Sequence, residues 1–350
     1  MDVIFNIFGI LNDLAVSVLG PWLPYPLLQV VLTIGAIIIL FAFLIPTVMI
    51  LVYLERKVIG RIQDRYGPNR VGPFGIFQSV ADVAKLFIKE DITPAAADKL
   101  VFQLAPAVVL IPAVAIYVVF SFAPGVVIAD LTIGLLFVIA ISSLATVGVF
   151  MAGWGSNNKY ALLGGMRAVA QMVSYEVPLG LAVLGVVMIS GTLSLNGIVA
   201  AQNSIWFVVV QPVAFVIYFI AAIAEVKRSP FDIAEAESEI VAGFHIEYSG
   251  MRFALFFLAE YLEAFAISAL AVMLFLGGWQ GLPILDQIIP PYVWFVGKTF
   301  VMFFVLLWIR GTLPRLRPDQ LMGFAWKGLV PVALLNILVT GVGIIVWRGF

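Results

Sequence analysis

The chain has no cysteine and a single histidine, His245, in 350 residues. Iron–sulfur clusters need thiolates, haem needs axial His, Met or Cys, and structural zinc needs several Cys or His. These counts argue against a redox centre or metal site of its own, so any electrons it helps to move must sit on a partner or a diffusible carrier. Charge is also scarce. Charged residues make up 11% of the chain and hydrophobic ones 63%, where a soluble domain has about a quarter charged and about half apolar. A soluble domain is excluded, and the composition is that of an all-α polytopic membrane protein. The formal net charge of −1, with no basic tail and no low-complexity block, excludes nucleic acid as a partner. No lysine or arginine precedes Arg56, so the start of the chain is not expected to act as a secretory signal.

Apolar runs of about 20 residues are long enough to cross a bilayer. They predict eight spans in a single membrane domain over residues 1–350, at about 27–54, 100–120, 131–152, 162–189, 205–225, 251–276, 292–310 and 329–347. Pro46 should kink the first. A basic loop follows it from Glu55 to Gly75, punctuated by Gly67-Pro68 and Gly72-Pro73. Then Phe74, Phe77, Val80, Ala81, Ala84, Phe87 and Ile88 recur at helical spacing, which predicts a helix over about 74–89. It is too short to span, and either lies on the membrane surface with its aromatic face down or packs within a loop domain. Sorting the loops by side places Arg56, Lys57, Arg61, Arg65, Arg70, Lys85, Lys89, Lys99, Lys159, Lys227, Arg228, Arg315, Arg317 and Lys327 together, leaving only Arg348 in the other set. Cytoplasmic loops collect such residues, so the basic loop and the loop 226–250 are expected to face the cytoplasm and both termini the outside.

Acidic residues concentrate where the membrane should reject them. The stretch Glu225–Tyr261 carries Glu225, Asp232, Glu235, Glu237, Glu239, Glu247 and Glu260, seven of the twenty acids. A carboxylate at the bilayer centre costs at least about 2.5 kcal/mol, so an ionisable group inside a span points to function. Glu237 and Glu239 fit a solvated loop equally well, whereas Glu225 and Glu260 fall inside apolar runs. The fourth span holds Arg167, Gln171 and Glu176, the sixth Glu260 and Glu263, and the seventh Lys298. A structural ion pair with one acid is an alternative reading of Lys298, but it cannot neutralise Glu176, Glu225, Glu260 and Glu263 together, and the remainder are expected to exchange protons.

Several motifs carry a resemblance. They are Leu54-Glu-Arg-Lys57, Arg65-Tyr-Gly-Pro-Asn-Arg-Val-Gly-Pro73, Ser156-Asn-Asn-Lys-Tyr160, Arg167-Ala-Val-Ala-Gln171, Ser174-Tyr-Glu176, Arg228-Ser-Pro-Phe-Asp232, Glu235-Ala-Glu-Ser-Glu239, Glu247-Tyr-Ser-Gly250 and Arg315-Leu-Arg-Pro-Asp-Gln-Leu-Met322. Together they resemble the family of quinone-site membrane subunits of respiratory complex I, the proton-pumping NADH:quinone oxidoreductase of bacteria and mitochondria. Some members read Leu-Pro where this chain has Ile233-Ala234, which leaves the backbone of that loop open but keeps its acids.

The resemblance implies eight spans with a surface helix after the first, set under a peripheral arm in a bacterial plasma membrane. It implies a quinone tunnel lined or bordered by Arg56, Arg65, Asp82 and the stretch Phe253 to Phe257, and an acidic proton path through Glu176, Glu225, Asp232, Glu235, Glu239, Glu247 and Glu260. Quinone would be the substrate, and no catalytic residue or metal ligand would come from this chain. FMN and iron–sulfur clusters would sit on the other membrane-arm and peripheral-arm subunits that partner it, and the isolated chain would be inactive. Arg56, Lys57 and Arg65 would pair with a docked subunit or guide the quinone head group, or else serve only as positive anchors. Rival readings are a stand-alone cation transporter, an inert anchor, and the membrane anchor and proton-path subunit of a related membrane-bound hydrogenase.

Overall fold

The computed structural model describes residues 16–17, 24–234, 240–281 and 289–348. These are helical apart from loops and one isolated β-bridge, Ala123 to Val126. Among them seven helices are long and apolar enough to cross a membrane, and an eighth apolar helix, Pro212–Glu225, is shorter.

Helix α1, Tyr25–Ile62, opens on a proline N-cap, as suits a position whose N–H would go unused. Its 38 residues reach about 57 Å, well beyond the roughly 30 Å hydrocarbon core. Pro46 lies inside it, and the next residue, Thr47, donates its hydroxyl to Phe43 O at 2.7 Å. The basic segment expected as loop from Glu55 is helical as far as Ile62, because no breaker appears before Gly67-Pro68. Glu55 and Arg56 therefore sit on a rigid helix. A 3-10 turn at Pro73–Gly75 leads to α2, Gln78–Ile88. The aromatic face of this segment, Phe74, Phe77, Phe87 and Ile88, is exposed along the outside of the bundle.

The central helices are α3 (Lys99–Ala115, continued by a 3-10 turn to Val119), α4 (Gly134–Gly155) and α5 (Lys159–Ser190). Short helices α6 (Leu195–Ala200) and α7 (Phe207–Val210) lead to α8 (Pro212–Glu225). The stretch 205–225, expected as one span, is thus broken at Gln211, since Pro212 has no N–H to carry a helix through. Buried amides satisfy the exposed polar groups: Gln211 Nε2 donates to Thr340 Oγ1 at 2.6 Å, and Gln202 Oε1 accepts from Phe207 N at 3.2 Å and Gly277 N at 3.0 Å.

The remaining long helices are α9 (Gly250–Phe275), the most buried of the spans, and α10 (Pro291–Thr312). The last run joins α11 (Pro318–Gly323), a π-turn and α12 (Val330–Arg348). Three fully buried tyrosines tie helices together by donating to backbone carbonyls: Tyr117 to Leu262 O at 2.6 Å, Tyr175 to Leu321 O at 3.0 Å and Tyr218 to Ile267 O at 3.0 Å. Lys298 donates to three carbonyls beyond the end of α9, Leu276, Gly278 and Gln280. These contacts cap the C-terminal end of α9, where a cation is favoured.

The acidic loop and the start of α9 are tied at one end of the bundle to the segments that follow α2 and α10. Ser249 Oγ donates to Glu90 O at 2.8 Å, Arg252 Nε lies 3.0 Å from Asp91, and Arg315 Nη2 donates to Asp232 Oδ2 at 3.0 Å.

Candidate functional site

On α9, Phe253, Phe256, Phe257, Glu260 and Glu263 follow one another at helical spacing, so a single helix face presents an aromatic half and an acidic half. This face forms one wall of a chamber of about 250 Å³. Glu55 and Arg56 come from α1, Arg310 from the end of α10, and Lys227, Arg228, Phe244 and His245 from the loop between α8 and α9. Two contacts set that loop. Gln171 on α5 donates to Ala224 O and Phe231 O, both at 2.7 Å. Gly164 on α5 meets Gly243, and a Cβ at position 164 would lie 2.6 Å from Gly243 Cα.

Arg228 is the hub of the chamber and is only 4% exposed. Its Nη1 donates to Glu55 Oε2 at 3.2 Å, and Arg310 donates to the other oxygen of Glu55. Nε lies 2.9 Å from Glu260 Oε1 but makes no aligned hydrogen bond, so this contact is ionic. The guanidinium carbon stands 4.4 Å from the Tyr261 ring centre. Burial alone would push Arg228 down, but Glu260 and Glu55 more than reverse this and hold it above its ordinary value. Its Nη2 is buried and has no hydrogen-bond partner among the described residues.

At the chamber's edge Asp82 accepts from Arg56 and, at 3.0 Å, from Gln78 Nε2. Burial works to raise the Asp82 carboxyl, but the Arg56 and Gln78 hydrogen bonds and the nearby cations hold it below its usual value. Asp232 shifts the other way. Burial, with Glu260 nearby, outweighs Arg315 and Arg310 and raises it, and its Oδ1 is buried without a hydrogen-bond partner among the described residues. Burial, assisted by Lys227 and opposed by Glu260, pushes the His245 ring down to about 4, so it is neutral at physiological pH.

A second, narrower cavity of about 40 Å³ lies deeper. Its polar lining is Glu225, Glu263, Ser142 and Tyr218, set among residues such as Ile116, Phe120 and Leu270. Ser142 is within hydrogen-bonding reach of Glu225. Among the described residues Glu225 and Glu263 form no ion pair, unlike Glu55 and Glu260.

The expected site residues therefore fall into groups. Arg56, Phe253, Phe257 and Glu260 line the chamber, and Asp82 is held behind Arg56. Arg65 lies away on an exposed turn, where its Nε donates to Gln63 Oε1 at 2.8 Å. Glu225 lines the inner cavity; Glu176, on α5, lines neither cavity but is within electrostatic reach of Glu225. Asp232 pairs with Arg315, and Glu247 accepts from Asn158 Nδ2 at 2.6 Å on the far side of the loop. Glu235 and Glu239 lie outside the described residues.

The model of the NADH dehydrogenase family matches residues 35–341. The chain belongs to this NADH dehydrogenase family. It is 54% identical over 310 residues to the NADH-quinone oxidoreductase H subunit of Dehalococcoides mccartyi (strain CBDB1), covering 89% of this chain and 86% of that protein. Identity to the protein of the same name from Geobacillus sp. (strain WCH70) is 55% over 287 residues, 82% and 86% of the two chains. To an NADH-quinone oxidoreductase H subunit of Geobacter sulfurreducens it is 53% over 317 residues, 88% and 95%.

Four residues of the site in this NADH dehydrogenase family chain have no role assigned by the sequence motifs: Glu55, Arg228, Arg310 and Glu263. Glu55 and Arg228 lie inside quoted motifs, and Glu263 has a local signal in its three-residue step from Glu260 inside an apolar run. Glu55 finds Arg228 and Arg310 at separations of 173 and 255 residues, which no local pattern reports. Among the described residues, no group of three or more His, Cys, Asp or Glu side chains is gathered as a metal ion requires.

Proposed function

We propose that this chain is the quinone-access and proton-path subunit of a bacterial NADH–quinone oxidoreductase, working only in the assembled complex with the other membrane-arm and peripheral-arm subunits. One observation carries the reading: a chamber whose aromatic half suits a flat, lipid-soluble ring and whose other half holds a buried guanidinium with a free donor. Phe253, Phe256 and Phe257 supply the apolar wall, and Arg228 Nη2 supplies a hydrogen bond for a carbonyl oxygen that gains charge on reduction. Arg56, with Asp82 behind it, borders the entry, and Arg65 lies further out on the same end.

Reduction of a quinone to a quinol takes two electrons and two protons. The electrons come from FMN and iron–sulfur clusters on partner subunits, since the donor set of this chain lacks thiolates. A unit charge about 10 Å away, at an effective dielectric of about 20, is worth roughly 1.7 kcal/mol, enough to change a proton's affinity more than tenfold. Charge created in the chamber is thereby felt by Glu260, Glu225, Glu176 and the loop acids Asp232, Glu235, Glu239 and Glu247, which pass protonation changes onward. The loops that meet around the chamber face the cytoplasm and both termini face outward, in the bacterial plasma membrane.

The test is Glu225→Gln in the complex reconstituted into sealed vesicles, with protons moved and quinone reduced measured together. The ratio of protons to electrons is expected to fall several-fold. An unaltered ratio removes Glu225 from the path.

A further inference from the structure

The two cavities meet at one side chain. Among the described residues that line them, Glu263 is the one common to both. It stands three residues after Glu260, so the two carboxyls rise from the same face of α9, one held against Arg228 and the other turned to the boundary. Beyond Glu263 lie Glu225 and Ser142, one on the last residue of α8 and the other on α4.

No guanidinium or ammonium binds Glu263 within ion-pair distance among the described residues, although Lys227 in the outer chamber is close enough to act on it electrostatically. Lys227 is itself only 4% exposed and stands 5.1 Å from the Phe244 ring centre. An acid left without a fixed counter-ion gains and loses a proton in place more readily than one clamped by arginine. The inner cavity has room for about three waters. Glu225, Glu263 and Ser142 supply the two to four polar partners such water needs, and Tyr218, whose hydroxyl donates to Ile267 O, keeps an oxygen able to accept.

We infer that Glu263 is the proton relay between the quinone chamber and the inner cavity, taking a proton from the Glu260 side and handing it through water to Glu225. This inference rests on the proposed function and names a residue that the acidic path read from the sequence leaves out. The step is a proton transfer alone: the O–H bond of Glu263 breaks as one forms on Glu225 or an intervening water, and no electron moves. Glu263 is thereby the one acid whose side chain must be both uncoordinated and accessible from two sides.

The experiment compares Glu263→Gln, Glu263→Asp and Glu225→Gln in the assembled complex in sealed vesicles. Protons per electron are expected to fall several-fold in Glu263→Gln, and Glu263→Asp to recover most of the loss, since a carboxyl is restored. The ratio is read per electron, so a general slowing from structural damage does not move it. The infrared difference between oxidised and reduced complex is expected to lose a protonated-carboxyl band in Glu263→Gln. Should Glu263→Gln fail to assemble, Ile139→Phe, which fills the inner cavity without touching an acid, is expected to lower the same ratio. A normal ratio in Glu263→Gln or, in its place, in Ile139→Phe overturns the relay. If Glu225→Gln loses pumping while Glu263→Gln keeps it, the relay alone is wrong. If both keep it, the proposed function falls as well.

Discussion

The carboxylates that line only the outer chamber, Glu55 and Glu260, are held by guanidinium groups, while among the described residues Glu263, shared with the inner cavity, and Glu225 inside it are not. Glu55 and Glu260 share Arg228, and Glu55 also engages Arg310, so two acids and two bases are locked in a nearly neutral cluster. Glu225 and Glu263, with Ser142 and Tyr218, supply the polar lining of a space of about 40 Å³. Acids are placed in both regions against the cost of burial, but by different means. The clamped set fixes geometry and charge, and the loose set retains the freedom to titrate. The contrast also explains why the acids are not interchangeable in the proposed path: Glu260 and Asp232 face arginines, so they sense charge, while Glu225 and Glu263 carry it.

The largest way to break this contrast is to remove the clamp. Arg228→Met leaves Glu55 and Glu260 buried with less compensation, and breaking such a buried network costs about 3–5 kcal/mol. The assembled complex should melt at a clearly lower temperature and lose quinone turnover, and adding Glu260→Gln should recover part of the stability. A melting temperature equal to the parent's would mean that solvent or a partner subunit, rather than Arg228, carries the charge balance.

Most of this arrangement is visible in the sequence only as isolated signals. The long apolar runs reveal the membrane class, and acids inside them mark α9 and the end of α8. Pro212 is in plain sight, yet hydropathy alone joins residues 205–225 into one span because averaging over a window passes across a single breaker. Sequence shows the charge of Lys298 but not the three carbonyls that converge on it. The Arg228 cluster is out of reach for the same reason. It joins the end of α1, a loop and the end of α10, and only the packing of these elements brings them together. Arg65, which the resemblance places along or beside the tunnel, sits on an exposed turn, and sequence does not show how far that turn lies from the chamber.

A smaller change sharpens the comparison from the other side. Ser142→Ala takes one hydroxyl from the inner cavity, and a lost hydrogen bond of this kind is worth about 1 kcal/mol. Assembly and melting are expected to stay close to those of the parent, while proton transfer measured as the pH jump after a single turnover slows. If it speeds up or stays the same, Ser142 does not help to seat the proton at Glu225.

The smallest expected effect tests the neutral edge of the outer chamber. His245 has a folded value of about 4 against an ordinary 6.5, so the folded protein resists protonation that the unfolded chain accepts. The stability this ring contributes is present above 6.5 and is lost as pH falls through about 4. Amide exchange across residues 240–249 should therefore quicken on acidification over that interval. His245→Phe, which keeps an aromatic ring and removes the titration, should flatten the profile; an identical profile in the variant would assign the acid sensitivity to another group.

The chamber's loop is seated by the missing side chains of Gly164 and Gly243. Phe244 and His245 hang from that contact, so a methyl group at position 164 would tilt the roof of the chamber without approaching any charge. Coupling between electrons and protons in such a protein can then be spoiled by a purely steric fault in the scaffold, and a variant of this kind would look electrostatic in every assay while having altered no ionisable group.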